Sequence, residues 1–236
     1  MRGSAEPRPG RLRAARSTIP RSEERVLPAA RRASDPMLAE HWARYRFVAS
    51  LARGRVADIG CGCGYGAREI ARQPAVREVL ACDRSGEALA WGARYYPDPR
   101  IVWREVDLER PRWERGLGRF DTIVAFEILE HLGDDRPLLE GMERALAAAG
   151  TIWLSTPLGR GRGIAVSDPF HVHQLRRQEA LELLGAGWRT EAYGQQGEWI
   201  EPWEAGRRYR TILLRGVRRS DRGRDRPGDE REGRWR

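Results

Sequence analysis

The chain has no lysine and no asparagine; all 43 of its basic residues are arginine. Both missing residues have AT-rich codons, so the bias points to a GC-rich genome more than to a function. Long apolar runs are also absent. No segment approaches the roughly 18 apolar residues that span a bilayer, and the first 36 residues hold no apolar stretch of secretory type. Cysteine is scarce: Cys61, Cys63 and Cys82 are an odd number in a chain without an export signal. That favours reduced, cytoplasmic thiols over a disulfide framework. A large charge excess is missing from the body of the chain, despite a net charge of +9. Residues 1–36 carry nine Arg against four acids, residues 216–236 eight against five, and residues 37–215 carry 26 against 25. The basicity therefore lies in the two ends. Such tails can hold nucleic acid or anionic lipid through counterion release, but a solvated tail is the commoner case.

What is present suits one sizeable domain. Residues 1–36 lack sustained periodicity, hold several prolines and read as disordered. Residues 216–236 read as a second disordered, charged tail. Met37 stands where the pattern becomes orderly and is a candidate start of the natural chain. Asp35 is placed to cap a helix that begins at Pro36. Then short β-like runs alternate with helical ones: strands over 55–60, 77–83, 100–107, 120–127 and 151–156, and helices over 66–73, 85–96, 136–149 and 176–187, the fourth-strand helix ending at Gly150. Two late strands, over 188–194 and 207–217, follow one another without a helix. This order implies an α/β fold: a mostly parallel seven-stranded sheet, helices on both faces and a reversed edge strand.

The densest signal is VADIGCGCGYGA (56–67). A buried strand ends at Asp58 and Ile59, and Gly60, Gly62, Gly64 and Gly66 follow at alternate positions before a helix. Glycines there permit positive φ and let a ligand approach the backbone, and the helix N-terminus offers unpaired N–H groups. Gly62, Gly64 and Ala67 also fit a dinucleotide fingerprint, so the loop alone does not choose its ligand. Asp83 closes the second strand, where an acid can accept from ribose hydroxyls. Asp107 closes the third, where a carboxylate can accept from an adenine amine. Cys61 and Cys63 are read as small side chains tolerated between glycines.

The ordered series VADIGCGCGYGA, ACDRSGEAL (81–89), VDLER (106–110) and FDTIVAFEILEHL (120–132) resembles that of the class I S-adenosylmethionine-dependent methyltransferases. The resemblance covers about residues 37–215 and implies a single Rossmann-like methyltransferase domain. It implies that S-adenosylmethionine is held by Asp58, Gly60, Cys61, Gly62 and Gly64, by Asp83 and Arg84, by Asp107 and Leu108, and by Phe126. It further implies that the helix before the first strand covers the donor, with Arg46 a candidate partner for the donor's carboxylate. EHWARYRF (40–47), STP (155–157), SDPFHVHQLRRQEALELL (167–184) and EAYGQ (191–195) are similar to a bacterial subgroup linked to surface-polysaccharide or glycan modification. The chain keeps that subgroup's His171 and Glu179 and departs from it over Gln174–Arg177.

Glu127, Glu130 and His131 follow the fourth strand directly. On a helical turn, positions i, i+3 and i+4 share one face, so two carboxylates and an imidazole would converge at the sheet's ligand-binding end. Methylating a hydroxyl requires its proton to be taken. A His base does that, and so does a divalent metal acting as Lewis acid. The E-x-x-E-H pattern is similar to that of methyltransferases that make ubiquinone and of others that methylate the terminal 2′-hydroxyl of small RNAs. Both add a later His, which His171 matches, making Glu127, Glu130, His131 and His171 a candidate site for Mg, Mn, Co or Zn. Three readings stand open: metal ligands; His131 as metal-free base assisted by Glu127; or a turn satisfied by its own hydrogen bonds. Residues 158–170 are a candidate acceptor lid. His173 reads as a surface residue, and Trp188, Trp199 and Trp203 as core or lid aromatics. The expected activity is O-methylation of a small-molecule or glycan hydroxyl. The alternatives are an RNA 2′-O-methyltransferase that uses the Arg-rich ends and a non-catalytic donor-binding protein.

Overall fold

The computed structural model describes residues 35–219. The expectations for residues 1–34 and 220–236 lie outside the described residues. The Asp35 cap forms: its carboxylate accepts from Met37 N at 3.0 Å and Leu38 N at 3.3 Å. With Pro36 at the first position it starts α1 (Pro36–Ala49).

The remaining elements are β1 (Gly54–Ile59), α2 (Tyr65–Ala71), β2 (Val76–Asp83), α3 (Gly86–Tyr95), β3 (Ile101–Glu105), β4 (Phe120–Phe126), α4 (Arg136–Ala145), β5 (Leu146–Pro157), α5 (Arg177–Glu182), β6 (Trp188–Gln196), β7 (Trp199–Pro202) and β8 (Thr211–Arg218). A 3₁₀ turn, Leu129–His131, lies between β4 and α4. The sheet order is β3-β2-β1-β4-β5-β8-β6-β7. The first five strands pair in parallel, and β8 runs antiparallel to both β5 and β6. The α/β fold with a mostly parallel sheet and a reversed edge is therefore present. The strand count rises from the expected seven to eight, because β6 folds back through a two-residue turn with Gly197 at φ +60° and pairs with β7.

A sheet covered on both sides needs apolar residues on both faces of each strand. In β1, Ala57 and Ile59 join the larger core under α4 and α5, while Val56 joins the other core under α1 and α2. Two helices are shorter than expected. Residues 146–149, a strong helix former by composition, are strand: Leu146 is buried and pairs with Phe120, and the register shifts before Thr122 meets Thr151. Tertiary pairing overrides alanine's helix propensity there, so Gly150 caps nothing. The helix expected over 176–187 ends at Glu182, because Leu184 turns in to pack on Gly216 and Gly185 reverses the chain at φ +72°.

Strand order reverses between β1 and β4. Ligands bind open α/β sheets at such a switch point, outside the carboxyl ends of the strands. β1, β2, β4, β5 and β6 all end on that rim.

Candidate functional site

The glycine loop leaves β1 with Gly60, Gly62 and Gly64 at φ +69°, +56° and +75°. They serve different ends. A Cβ on Gly60 would lie 2.0 Å from Ile128 Cδ1, and one on Gly64 would lie 2.2 Å from the Trp103 ring. Around the corresponding position of Gly62 there is nothing within 4 Å. Gly60 and Gly64 are thus required by packing, and Gly62 faces open space. Asp83 tightens the loop: its carboxylate accepts from Gly62 N and Ser85 N, each at 2.9 Å. Cys61 and Cys63 are buried between the glycines, as expected of small fillers.

Beneath the loop, Asp58 is fully buried. Oδ1 accepts from the Tyr45 hydroxyl at 3.1 Å, and Oδ2 has no hydrogen-bond partner. Burial raises its pKa to about 7, helped by the charge of Asp83 and opposed by the Tyr45 hydroxyl and the Ala67 amide. Asp107 lies two residues past β3, half-buried, accepting from Glu109 N and from the Arg110 guanidinium. Leu108 is buried, and Phe126 is buried edge-on to Tyr45 at 5.1 Å. Arg84 is exposed.

Across the switch point, Glu127 begins the second half of the site. Its φ is +52°, a left-handed conformation that costs a non-glycine residue on the order of 1 kcal/mol or more. Glu127 Oε1 accepts from Ser155 Oγ at 2.8 Å and lies 2.9 Å from Arg44 Nη1. That second approach is an ion contact without an aligned N–H, so the buried Nη1 lacks a hydrogen bond. Burial by itself would raise the Glu127 pKa. The Arg44 guanidinium, assisted by His41, the Ser155 hydroxyl and His171, holds it below the usual range. Glu130, three residues on, is 1% exposed and takes a 3.3 Å bond from Thr156 Oγ1. Burial, and after it the charge of Glu127, pushes its pKa far up. Glu130 therefore gives up its proton less readily than Glu127.

His131 Nδ1 lies 3.1 Å from Phe170 O. A carbonyl can only accept, so neutral His131 carries its proton on Nδ1 and its lone pair on Nε2. The His171 ring centroid is 5.0 Å away, and Val172 N donates to Glu130 O at 2.8 Å. The lid segment is thereby fastened onto the 3₁₀ turn. One donor atom each of Glu130, His131 and His171 lies within 4.8 Å of the others.

The chain carrying this rim has counterparts among known proteins. The model of a family described as Methyltransferase domain matches residues 56–150. A protein of Mycolicibacterium smegmatis named Probable S-adenosylmethionine-dependent methyltransferase is 33% identical over 190 residues, 74% of this chain and 67% of that protein. The chain belongs to the S-adenosylmethionine-dependent methyltransferases. An Acinetobacter baumannii ubiquinone biosynthesis O-methyltransferase is 29% identical over 109 residues, 45% of each chain. A chain of the complex between the Haloferax volcanii Trm112 methyltransferase activator and a methyltransferase shares the fold, with a TM-score of 0.63 and 17% identity over 77% of this chain and 92% of that one. The chain spans between 45% and 67% of the lengths of curated relatives it matches. Among the described residues no helix is long and apolar enough to cross a membrane.

Within this methyltransferase, several expected residues sit elsewhere than the sequence suggested. Arg46 is on the outer face of α1, exposed and stacked 5.5 Å from the Trp42 ring. Arg44 is the arginine that enters the site, only 2% exposed. Helical spacing carries the signal: Arg44 is three residues after His41 and four before the buried Val48. Glu127 lies outside the cluster of Glu130, His131 and His171, because Arg44 and Ser155 hold its carboxylate. His173 is buried, not at the surface. The segment pairs through Leu158–Leu175 and Gly161–Gln174, which turns residues 173 and 175 inward and 172 and 176 outward. Trp188 is buried, Trp203 is half-buried between Tyr209 and Arg177, and Trp199 is 70% exposed. No motif marks His41, whose Nδ1 lies 2.8 Å from the Tyr65 hydroxyl. No site role was expected of Ser155 and Thr156, which precede Pro157 at the end of β5.

Proposed function

We propose that this methyltransferase transfers the donor methyl group to a hydroxyl oxygen of a small-molecule or glycan acceptor, with His131 taking the proton. The observation that carries the reading is the His131–Phe170 contact. It selects the tautomer whose Nε2 can act as base, at the rim where the donor site ends. Glu127, ionised beside Arg44, and His171 stand on the same wall and would orient an acceptor hydroxyl.

The residues fit the donor. Asp58 Oδ2 and Arg44 Nη1 are buried polar atoms without hydrogen bonds, one anionic when ionised and one cationic. They suit the ammonium and the carboxylate of the donor's amino-acid end. Gly62 leaves space, Asp83 keeps lone pairs for ribose hydroxyls, and Asp107 with Leu108 suits adenine. Bound there, the sulfonium supplies an electrophilic methyl group.

A second reading places a divalent cation on Glu130, His131 and His171, favoured by their convergence within 4.8 Å. One carboxylate and two imidazoles are a usable ligand set for Zn, Co, Mn or Mg. The burial of Glu130 counts against it, since a cation needs that carboxyl ionised. An RNA acceptor is less well supported. The body is nearly charge-neutral, and the lid's Arg162 pairs with Asp135 while its Arg160 bonds Ala165 O. Titrating Mg, Mn, Co and Zn calorimetrically into protein saturated with S-adenosylhomocysteine separates the two readings. The expected result is no saturable binding, together with loss of turnover in His131→Ala. Saturable binding abolished by His131→Ala would transfer the role to the cation.

A further inference from the structure

Arg44 is a buried cation that one carboxylate does not fully satisfy. It lies on α1, which is anchored independently of it: the Tyr45 hydroxyl donates to Asp58, and Gln195 Nε2 donates to Glu40 O at 2.9 Å. The guanidinium can therefore change partner by side-chain torsions alone. Its contact, Glu127 Oε1, has an independent donor in Ser155 Oγ at 2.8 Å, and the left-handed backbone of Glu127 fixes where that carboxylate starts. Glu127 would thus stay hydrogen-bonded if Arg44 left. Arg44 would gain by leaving, because a planar guanidinium prefers a carboxylate that can take two parallel N–H bonds.

Resting on the donor site proposed above, we infer that Arg44 is exchanged between Glu127 and the carboxylate of the bound donor, so that filling the donor site releases Glu127 to the acceptor. While Arg44 faces Glu127, it neutralises that anion. Once Arg44 turns to the donor, Glu127 keeps the Ser155 hydroxyl and the nearby His41 and His171, and its carboxylate can accept from a hydroxyl or approach a cation. The two sites are then coupled, and by linkage the coupling is reciprocal: whatever engages Glu127 tightens donor binding. Glu127 then acts as a positioning residue whose availability is set by donor occupancy.

The test uses S-adenosylhomocysteine and its decarboxylated analogue, 5′-deoxy-5′-(3-aminopropylthio)adenosine, which keeps the ammonium and lacks the carboxylate. Calorimetry on Glu127→Gln should show S-adenosylhomocysteine bound about tenfold more tightly than by the wild type, since the competitor for Arg44 is gone, and the analogue bound unchanged. Arg44→Gln supplies a second, independent measurement: the wild-type preference for S-adenosylhomocysteine over the analogue should vanish. The inference is overturned if Glu127→Gln shifts both ligands equally or neither, or if Arg44→Gln still discriminates between them. Wild-type protein that binds neither ligand would instead remove the donor site itself, and the exchange with it.

Discussion

The two halves of the site are built on opposite principles. The donor half, β1 to β3 with the glycine loop, is set by backbone: three positive-φ glycines, two amides on Asp83 and strand ends that place Asp83 and Asp107. The proposed acceptor half, the turn after β4 with the segment after β5, is set by side chains: Glu127 and Glu130, Ser155 and Thr156 from β5, and two imidazoles from segments 40 residues apart, with Arg44 of α1 at the boundary of the two halves. Backbone devices hold one ligand in one pose. A side-chain network can be altered one residue at a time.

The largest test of this contrast is kinetic. His131→Ala should lower turnover by roughly 10²–10⁴, the usual yield of a positioned base, and leave S-adenosylhomocysteine affinity unchanged. Altered affinity in a calorimetric titration would blur the division. Asp83→Ala should do the reverse and weaken S-adenosylhomocysteine about 100-fold, since it removes the ribose acceptor and loosens the Gly62 amide. Unchanged affinity would sink the ribose assignment.

Within the loop, Gly62→Ala should cost affinity more than stability, because its Cβ meets open space at φ +56°. Gly64→Ala, aimed at Trp103, should lower the melting temperature by more than Gly62→Ala does. Equal melting temperatures would show that both glycines serve conformation alone. The smallest effect is a pH dependence. Asp58 has its pKa raised from 3.8 to about 7. Its contribution to stability is therefore full below about pH 4 and is lost as pH rises through 7. An ammonium beside it reverses the preference, so S-adenosylhomocysteine should bind about tenfold more tightly at pH 8 than at pH 6. Asp58→Asn should flatten that profile.

The glycine loop and the placement of Asp58 and Asp83 were legible because their signals are local. Glycines at alternate positions after an apolar run, and acids where later strands end, state their geometry in a few residues. The acceptor half depends on distant pairing. Nothing within residues 146–149 says that Leu146 must pair with Phe120, so a helical composition becomes strand. Arg44 and Arg46 flank the same tyrosine, and only the burial of Val48 and Ala49 on one face of α1 decides which turns inward. His173 looks solvent-facing until residues 174 and 175 pair with the chain after β5. The left-handed φ of Glu127 has no sequence signature, since glutamate is a poor choice for it.

The eighth strand has a consequence for how copies of this protein meet. A sheet's outer strand presents unpaired backbone groups on which another chain can build a ladder. Here that position is taken by β7, four residues long, carrying Glu201 and ending in Pro202. Proline has no N–H to offer, and a charge on so short an edge opposes stacking against a neighbour. By folding back through Gly197, the chain lays β7 over Tyr193–Gln196, the last four residues of β6. The hairpin thus shields the end of β6, and deleting β7 should show first as lost solubility, with the glycine-loop side of the rim intact.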